Sequence, residues 1–150
     1  MLNCIHFHSE TVKRIYFAGS IRGGRQLAGR YRGLIEMLRS YGHVYSEHVG
    51  SEEKIDRDKT LSDREIHERD LEWIRQSDLV VAEVSIPSLG VGYEIASAIA
   101  LGKPILCLYD QNSEYRLSAM ITGSDETLVR KYESLEEAGR ILEAFMNRKH

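Results

Sequence analysis

The sequence predicts an α/β fold, a doubly wound parallel sheet of about five strands with helices on both faces. Short β-type runs alternate with helical stretches along the chain, which implies a parallel sheet covered on both sides. At least two of the strands, DLVVAEV and PILCLY, are strongly apolar, as strands buried between helices are. The chain has 150 residues, enough for one domain with a real core and too few for two comfortable ones. Residues 1–13 are expected to form a variable leader and residues 14–150 a single domain.

The elements follow in order. Arg14 to Ala18 (RIYFA) is the first strand, and the glycine-rich turn GSIRGG follows at once. A helix is expected from about Gln26 to Tyr41, with Leu27, Tyr31, Leu34, Ile35 and Leu38 at helical spacing and Gly42 as its stop. His43 to Glu47 is the second strand, and the polar stretch Gly50 to Leu61 is a surface loop. Asp63 to Ser77 is the second helix, and Asp78 to Val84 the third strand. Pro87 to Gly90 turns the chain into a third helix that ends near Leu101 and Gly102. Pro104 to Tyr109 is the fourth strand and Leu128 to Tyr132 a fifth. Ser134 to Met146 closes the chain as an amphipathic helix with Leu135, Ala138, Ile141, Leu142 and Phe145 inward. In such folds ligands bind beyond the carboxyl ends of the strands. The loops after Ala18 and Val84 therefore share one rim.

Composition narrows the function classes. Hydrophobic residues make up 42% and charged residues 29%, which is globular. A net charge of -3 argues against a broad grip on polymeric nucleic acid but leaves room for a local basic pocket. The two cysteines, Cys4 and Cys107, form neither a metal-ligand spacing nor a disulfide framework, which suits an intracellular, reducing compartment such as cytoplasm or nucleus. His6 and His8 in the leader lack further ligands, so no metal site is expected. No segment approaches a membrane span.

Three features carry chemistry. In GSIRGG the glycines allow close backbone approach, Ser20 offers a hydroxyl, Arg22 a guanidinium, and the next helix its positive end. This suits one phosphate. The turn is neither a Walker A nor a GxGxxG sequence, so ATP and NAD are not indicated. An ordinary strand-to-helix turn with a solvated arginine fits equally. On the second helix Ile66, Asp70, Trp73, Ile74 and Ser77 share one face. An acid in that stripe needs a task or a partner, either an arginine on a neighbouring element or another helix whose end it caps. On the third helix, PSLGVGYEIASAIALG, Glu94 is the one charged residue. An all-apolar helix is a buried one, so Glu94 either points into a cleft or needs a hidden partner; the dipole favours its ionised form near the helix start, and a Glu that merely complements the dipole is the plain alternative. Ser88 and the amides of Gly90 to Gly92 open the same helix and could hold a phosphate.

Two carboxylates in different environments are the recurring apparatus for glycoside cleavage, one ionised as nucleophile and one protonated to help the leaving group.

The segments IYFAGSIRGGR, SEHV, IHERDLEWIRQSDLVVAEVSIPSLGVGYE and KPILCLY followed by RLSAMI resemble the 2'-deoxynucleoside 5'-phosphate N-hydrolases, within the nucleoside 2-deoxyribosyltransferase superfamily. The resemblance spans about Arg14 to Ile121. It implies a Rossmann-like, flavodoxin-like homodimer that hydrolyses a deoxynucleoside monophosphate to free base and 2-deoxyribose 5-phosphate, without metal or organic cofactor. By resemblance Glu94 is the nucleophile, through a covalent glycosyl intermediate, Asp70 the acid and Tyr16 an assisting tyrosine. Ser20, Ile21, Arg22, Gly23, Ser88, Gly90 and Ser118 would hold the phosphate. Ser118 and Met120 would complete the partner subunit's site, and His48 would line the base pocket. The rival readings are a deoxyribosyltransferase, a ribonucleotide N-hydrolase and a non-catalytic nucleotide-binding protein.

Overall fold

The computed structural model describes residues 12–21, 24–46 and 60–149. The expected leader, Arg22, Gly23, His48 and nearly all of the 50–61 loop lie outside the described residues. Among the described residues ten elements follow one another: β1 (Lys13–Gly19), α1 (Gly24–Arg39), β2 (Gly42–Tyr45), α2 (Asp63–Gln76), β3 (Leu79–Glu83), α3 (Leu89–Ala100), β4 (Ile105–Asp110), α4 (Ala119–Thr122), β5 (Leu128–Tyr132) and α5 (Leu135–Met146). The five strands form one sheet in the order β2-β1-β3-β4-β5, and every pair is parallel. Strand order reverses between β1 and β3, so their carboxyl ends open the crevice in which such folds bind ligands.

Strand periodicity sorts the side chains into two layers. Ile15, Phe17, Leu79, Val81, Leu106 and Leu108 pack with residues of α1 and α5, among them Leu34, Leu38, Ala138 and Leu142. Tyr16, Ala18, Val80, Ala82, Ile105 and Cys107 pack on the other face with Ile74 of α2 and Val91, Ile95 and Ala98 of α3. The odd-even alternation along β1 thus sends Tyr16 toward the two helices that carry Asp70 and Glu94.

Local chemistry sets the helix ends. Ser62 caps α2 with a full capping box: its side chain accepts from the Glu65 amide, and the Glu65 carboxylate accepts from the Ser62 amide. At the other end of α2, Lys103 Nζ donates to the Ser77 and Arg75 carbonyls at 2.6 and 2.9 Å, answering the negative end of the helix. Gly102 leaves α3 at φ +65, a left-handed conformation that glycine adopts without strain. Gly42 brings β2 against β1 so closely that a Cβ there would lie 1.9 Å from the Lys13 carbonyl oxygen.

The expected elements form with shifted ends: α1 closes at Arg39 rather than near Tyr41, and β2 at Tyr45 rather than Glu47. The short helix α4 was not expected. More telling is α3. Only Val91, Ile95 and Ala98 are buried, whereas Leu89 is 97% exposed and Tyr93 and Leu101 are also exposed. The helix is apolar all round, yet within one chain half of it faces outward.

Candidate active site

Tyr16, Asp70 and Glu94 come from three elements and meet on the α2/α3 side of the sheet. Tyr16 is buried on β1, and its hydroxyl donates to Glu94 Oε1 at 2.9 Å. Burial pushes Glu94 up to about 7. The Tyr16 hydrogen bond acts against that rise, and the negative charge of Asp70 adds to it. Glu94 lies in the second turn of α3, past the amides at the helix start. The helix dipole acts chiefly on the first turn, so its pull on this carboxylate is weaker here, and desolvation works against the charged form.

Asp70 is buried in the middle of α2, as its place in the apolar stripe implied. Its partner is Arg69, which donates from Nε to Asp70 Oδ1 at 2.9 Å and lies 4.6 Å from the centre of the Trp73 ring. The partner is thus its sequence neighbour, not an arginine of another element. One turn earlier His67 Nε2 lies 3.1 Å from the Tyr93 hydroxyl. That contact joins the helix of Asp70 to the helix of Glu94, and neither residue figured in the sequence reading. Two carboxyl groups that feel each other's charge, with a phenol donating to one of them, can hold and exchange a proton beside a reacting sugar.

The anion-binding candidates line the adjoining rim. Ser20 is buried directly after β1, and Ile21 is 72% exposed. Ser88 caps α3, its side chain accepting from the Val91 amide at 3.3 Å, and Gly90 follows in the exposed first turn. Ser118 caps α4 in the same way, accepting from the Met120 amide.

Ser88, Ser118 and Met120 border one groove of about 870 Å³ between α3 and α4, floored by Val84, Ile95 and Ile99. Arg116 lines it too, a cation that the sequence reading passed over in RLSAM. Tyr16, Asp70 and Glu94 do not line this groove. Arg22, Gly23 and His48 lie outside the described residues. Among the described residues no group of three or more His, Cys, Asp or Glu could hold a metal, and no helix is long and apolar enough to cross a membrane.

Comparison with known proteins places this geometry. The chain is 48% identical over 139 residues to the 5-hydroxymethyl-dUMP N-hydrolase of Tetraodon nigroviridis, an alignment covering 89% of this chain and 97% of that protein. It is 54% identical over 112 residues to the Mus musculus protein of the same name, covering 73% of this chain and 65% of that protein. The structure of the CMP N-glycosidase of Clostridium botulinum superposes with a TM-score of 0.66 at 22% identity, covering 89% of this chain and 99% of that one, a likeness of fold. The family model described as nucleoside 2-deoxyribosyltransferase matches residues 15–146, and the chain therefore belongs to the nucleoside 2-deoxyribosyltransferase family.

Proposed function

We propose that this chain hydrolyses the N-glycosidic bond of 2'-deoxynucleoside 5'-monophosphates, releasing the free base and 2-deoxyribose 5-phosphate. The observation that carries the reading is the Tyr16–Glu94 hydrogen bond with the Asp70 charge beside it. The names of the relatives support the substrate class, including a deoxyuridine monophosphate with a modified base.

The chemistry follows from the two carboxyl groups. The active form holds one proton on the pair. Glu94, ionised and steadied by the Tyr16 hydroxyl, attacks C1' of the sugar as the bond from C1' to the base nitrogen breaks. Asp70 gives its proton to the departing base, which lowers the cost of expelling a poor leaving group. The glycosyl ester on Glu94 is then opened by water, which delivers hydroxide to C1' and returns a proton to the carboxyl pair. Absence of a 2'-hydroxyl eases the positive charge that develops on the sugar. Phosphate contacts remote from that bond position the sugar. Ser20, Ile21, Arg22, Gly23, Ser88 and Gly90 supply them, and His48 borders the base.

The working form is a homodimer. Its support is the outward apolar face of α3, with Leu89 97% exposed beside Met120 at 83%. A second copy laid along the groove would cover that face and carry Ser118 and Met120 into the neighbouring site.

The test offers the purified protein the common dNMPs, 5-hydroxymethyl-dUMP, matched ribonucleotides and unphosphorylated deoxynucleosides, and follows free base by chromatography. Release confined to deoxynucleoside monophosphates and abolished by Glu94→Ala is the expected result. Equal release from CMP or AMP would make it a ribonucleotide hydrolase. Release that requires an acceptor base would make it a transferase.

A further inference from the structure

A second buried acid sits on the opposite face of the sheet, and the reaction does not use it. Odd positions of β3 point toward α1 and α5, which puts Glu83 in the layer of Leu79 and Val81. Glu83 is fully buried. It accepts from the Ser85 hydroxyl, from the Tyr132 hydroxyl at 2.8 Å and from the Ser85 amide at 3.4 Å. The Ser85 hydroxyl oxygen in turn accepts from the Asp110 amide at 2.7 Å. Asp110 pairs with Arg30 of α1 at 2.7 Å, and that guanidinium lies 5.6 Å from the centre of the Tyr132 ring.

The next residue of α1 reaches the rim. The Tyr31 hydroxyl accepts from the Ser20 amide at 3.1 Å, in a buried contact. Its ring is pressed against the chain just before: a Cβ at Gly19 would lie 3.0 Å from Tyr31 Cζ. Gly19 is also the strand partner of Glu83, so the end of β1 is held between the Tyr31 ring and the strand that carries the cluster. Ser85 lies three residues ahead of Ser88, the cap of α3. A buried carboxylate is costly unless fully bonded; this one is bonded to Ser85, on the segment that leads to the α3 turn, while the Glu83 backbone pairs with Gly19 at the end of β1.

We propose that Tyr31, braced by Glu83, Ser85, Tyr132 and Arg30, is a positioning residue that fixes the spacing of the Ser20 and Ser88 turns for one substrate phosphate. The idea rests on the phosphate reading above and sharpens it. The Ser20 amide is taken by Tyr31, so Ser20 offers the anion its hydroxyl.

Tyr31→Phe keeps the ring and removes the acceptor. The expected result is a KM for the deoxynucleoside monophosphate raised about tenfold, with kcat changed far less, because a buried donor loses its partner at a binding contact. The inhibition constant of inorganic phosphate rises by a similar factor. Tyr132→Phe, which removes one bond to Glu83 and leaves the Tyr31 contact in place, gives the same split at smaller size. It carries the comparison if Tyr31→Phe does not fold, as judged by near-ultraviolet circular dichroism. Tyr41→Phe, at the far end of α1, is the control that leaves the split unmoved. A fall in kcat and kcat/KM together, or an unchanged phosphate inhibition constant, would overturn the positioning role while leaving the phosphate reading intact. Wild-type protein that ignores inorganic phosphate and cleaves unphosphorylated deoxynucleosides equally well would overturn both.

Discussion

Replacing Glu94 with glutamine should make the protein more stable in alkaline solution and leave it nearly unchanged in acid. The carboxyl group titrates near 7 in the folded chain against an ordinary value of 4.5, and burial is the chief cause. A folded value above the unfolded one means that the stabilising contribution is fully present below 4.5 and is lost as pH rises through about 7. The gap corresponds to about 3 kcal/mol, or about 2 kcal/mol once partial exposure of the site is allowed for. Glutamine keeps the shape, still accepts from the Tyr16 hydroxyl, and never carries the charge. Thermal unfolding followed by circular dichroism should therefore give nearly coincident midpoints at about pH 4. Near pH 8.5 the variant should melt about 5 °C or more above the wild type, using about 2–4 °C per kcal/mol for a chain of this size. A difference independent of pH, or a variant less stable at pH 8.5, would refute the claim that Glu94 bears an unfavourable buried charge.

Further outcomes follow from the same geometry. If one proton on the carboxyl pair is the active form, kcat/KM should fall above about 7, where the pair loses its last proton, and Asp70→Asn should abolish that alkaline limb while lowering the rate. A pH–rate profile that instead rises through 7 would remove Asp70 as the acid. Tyr16→Phe deletes the hydrogen bond that favours the charged carboxylate, so kcat/KM should drop about ten- to hundredfold while the urea midpoint moves little. Leu89→Glu or Met120→Glu places a charge on the exposed apolar face and should shift the protein toward monomer in sedimentation velocity, with activity falling alongside. Ser62→Ala removes the capping box of α2 and should cost about 1 kcal/mol in urea unfolding, with kcat unchanged.

Much of this was legible before any coordinates. Alternating elements and apolar strands sufficed for the parallel sheet, and helical spacing put Asp70 on the packed face of α2. Its arginine was not legible, because neighbours on a helix point apart and only a long side chain folding back lets Arg69 reach Asp70. Glu94 was visible as a lone charge. Its titration was not, since that depends on how deeply the fold desolvates it. Glu83 was equally visible, an acid within LVVAEV, and was read as part of an apolar strand. Strand parity alone would have set it apart from Val80, Ala82 and Val84. The capping box at Ser62 and Glu65 was a plain signal that went unused. The outward half of α3 runs against a simple rule: an all-apolar helix is buried in the working assembly, which need not be a single chain.

The alternation along β1 carries a consequence for what this chain can tolerate over time. Ile15 and Phe17 belong to one layer and Tyr16 to the other, so the strand works like a reading frame. Losing or gaining one residue between Gly42's partner Lys13 and Tyr16 would turn the tyrosine away from Glu94 and drive Phe17 or Ile15 into its place, even with every other residue preserved. The length of that strand is therefore inherited as strictly as its letters, and drift in this protein should accumulate as substitutions there and as insertions only beyond the strand ends.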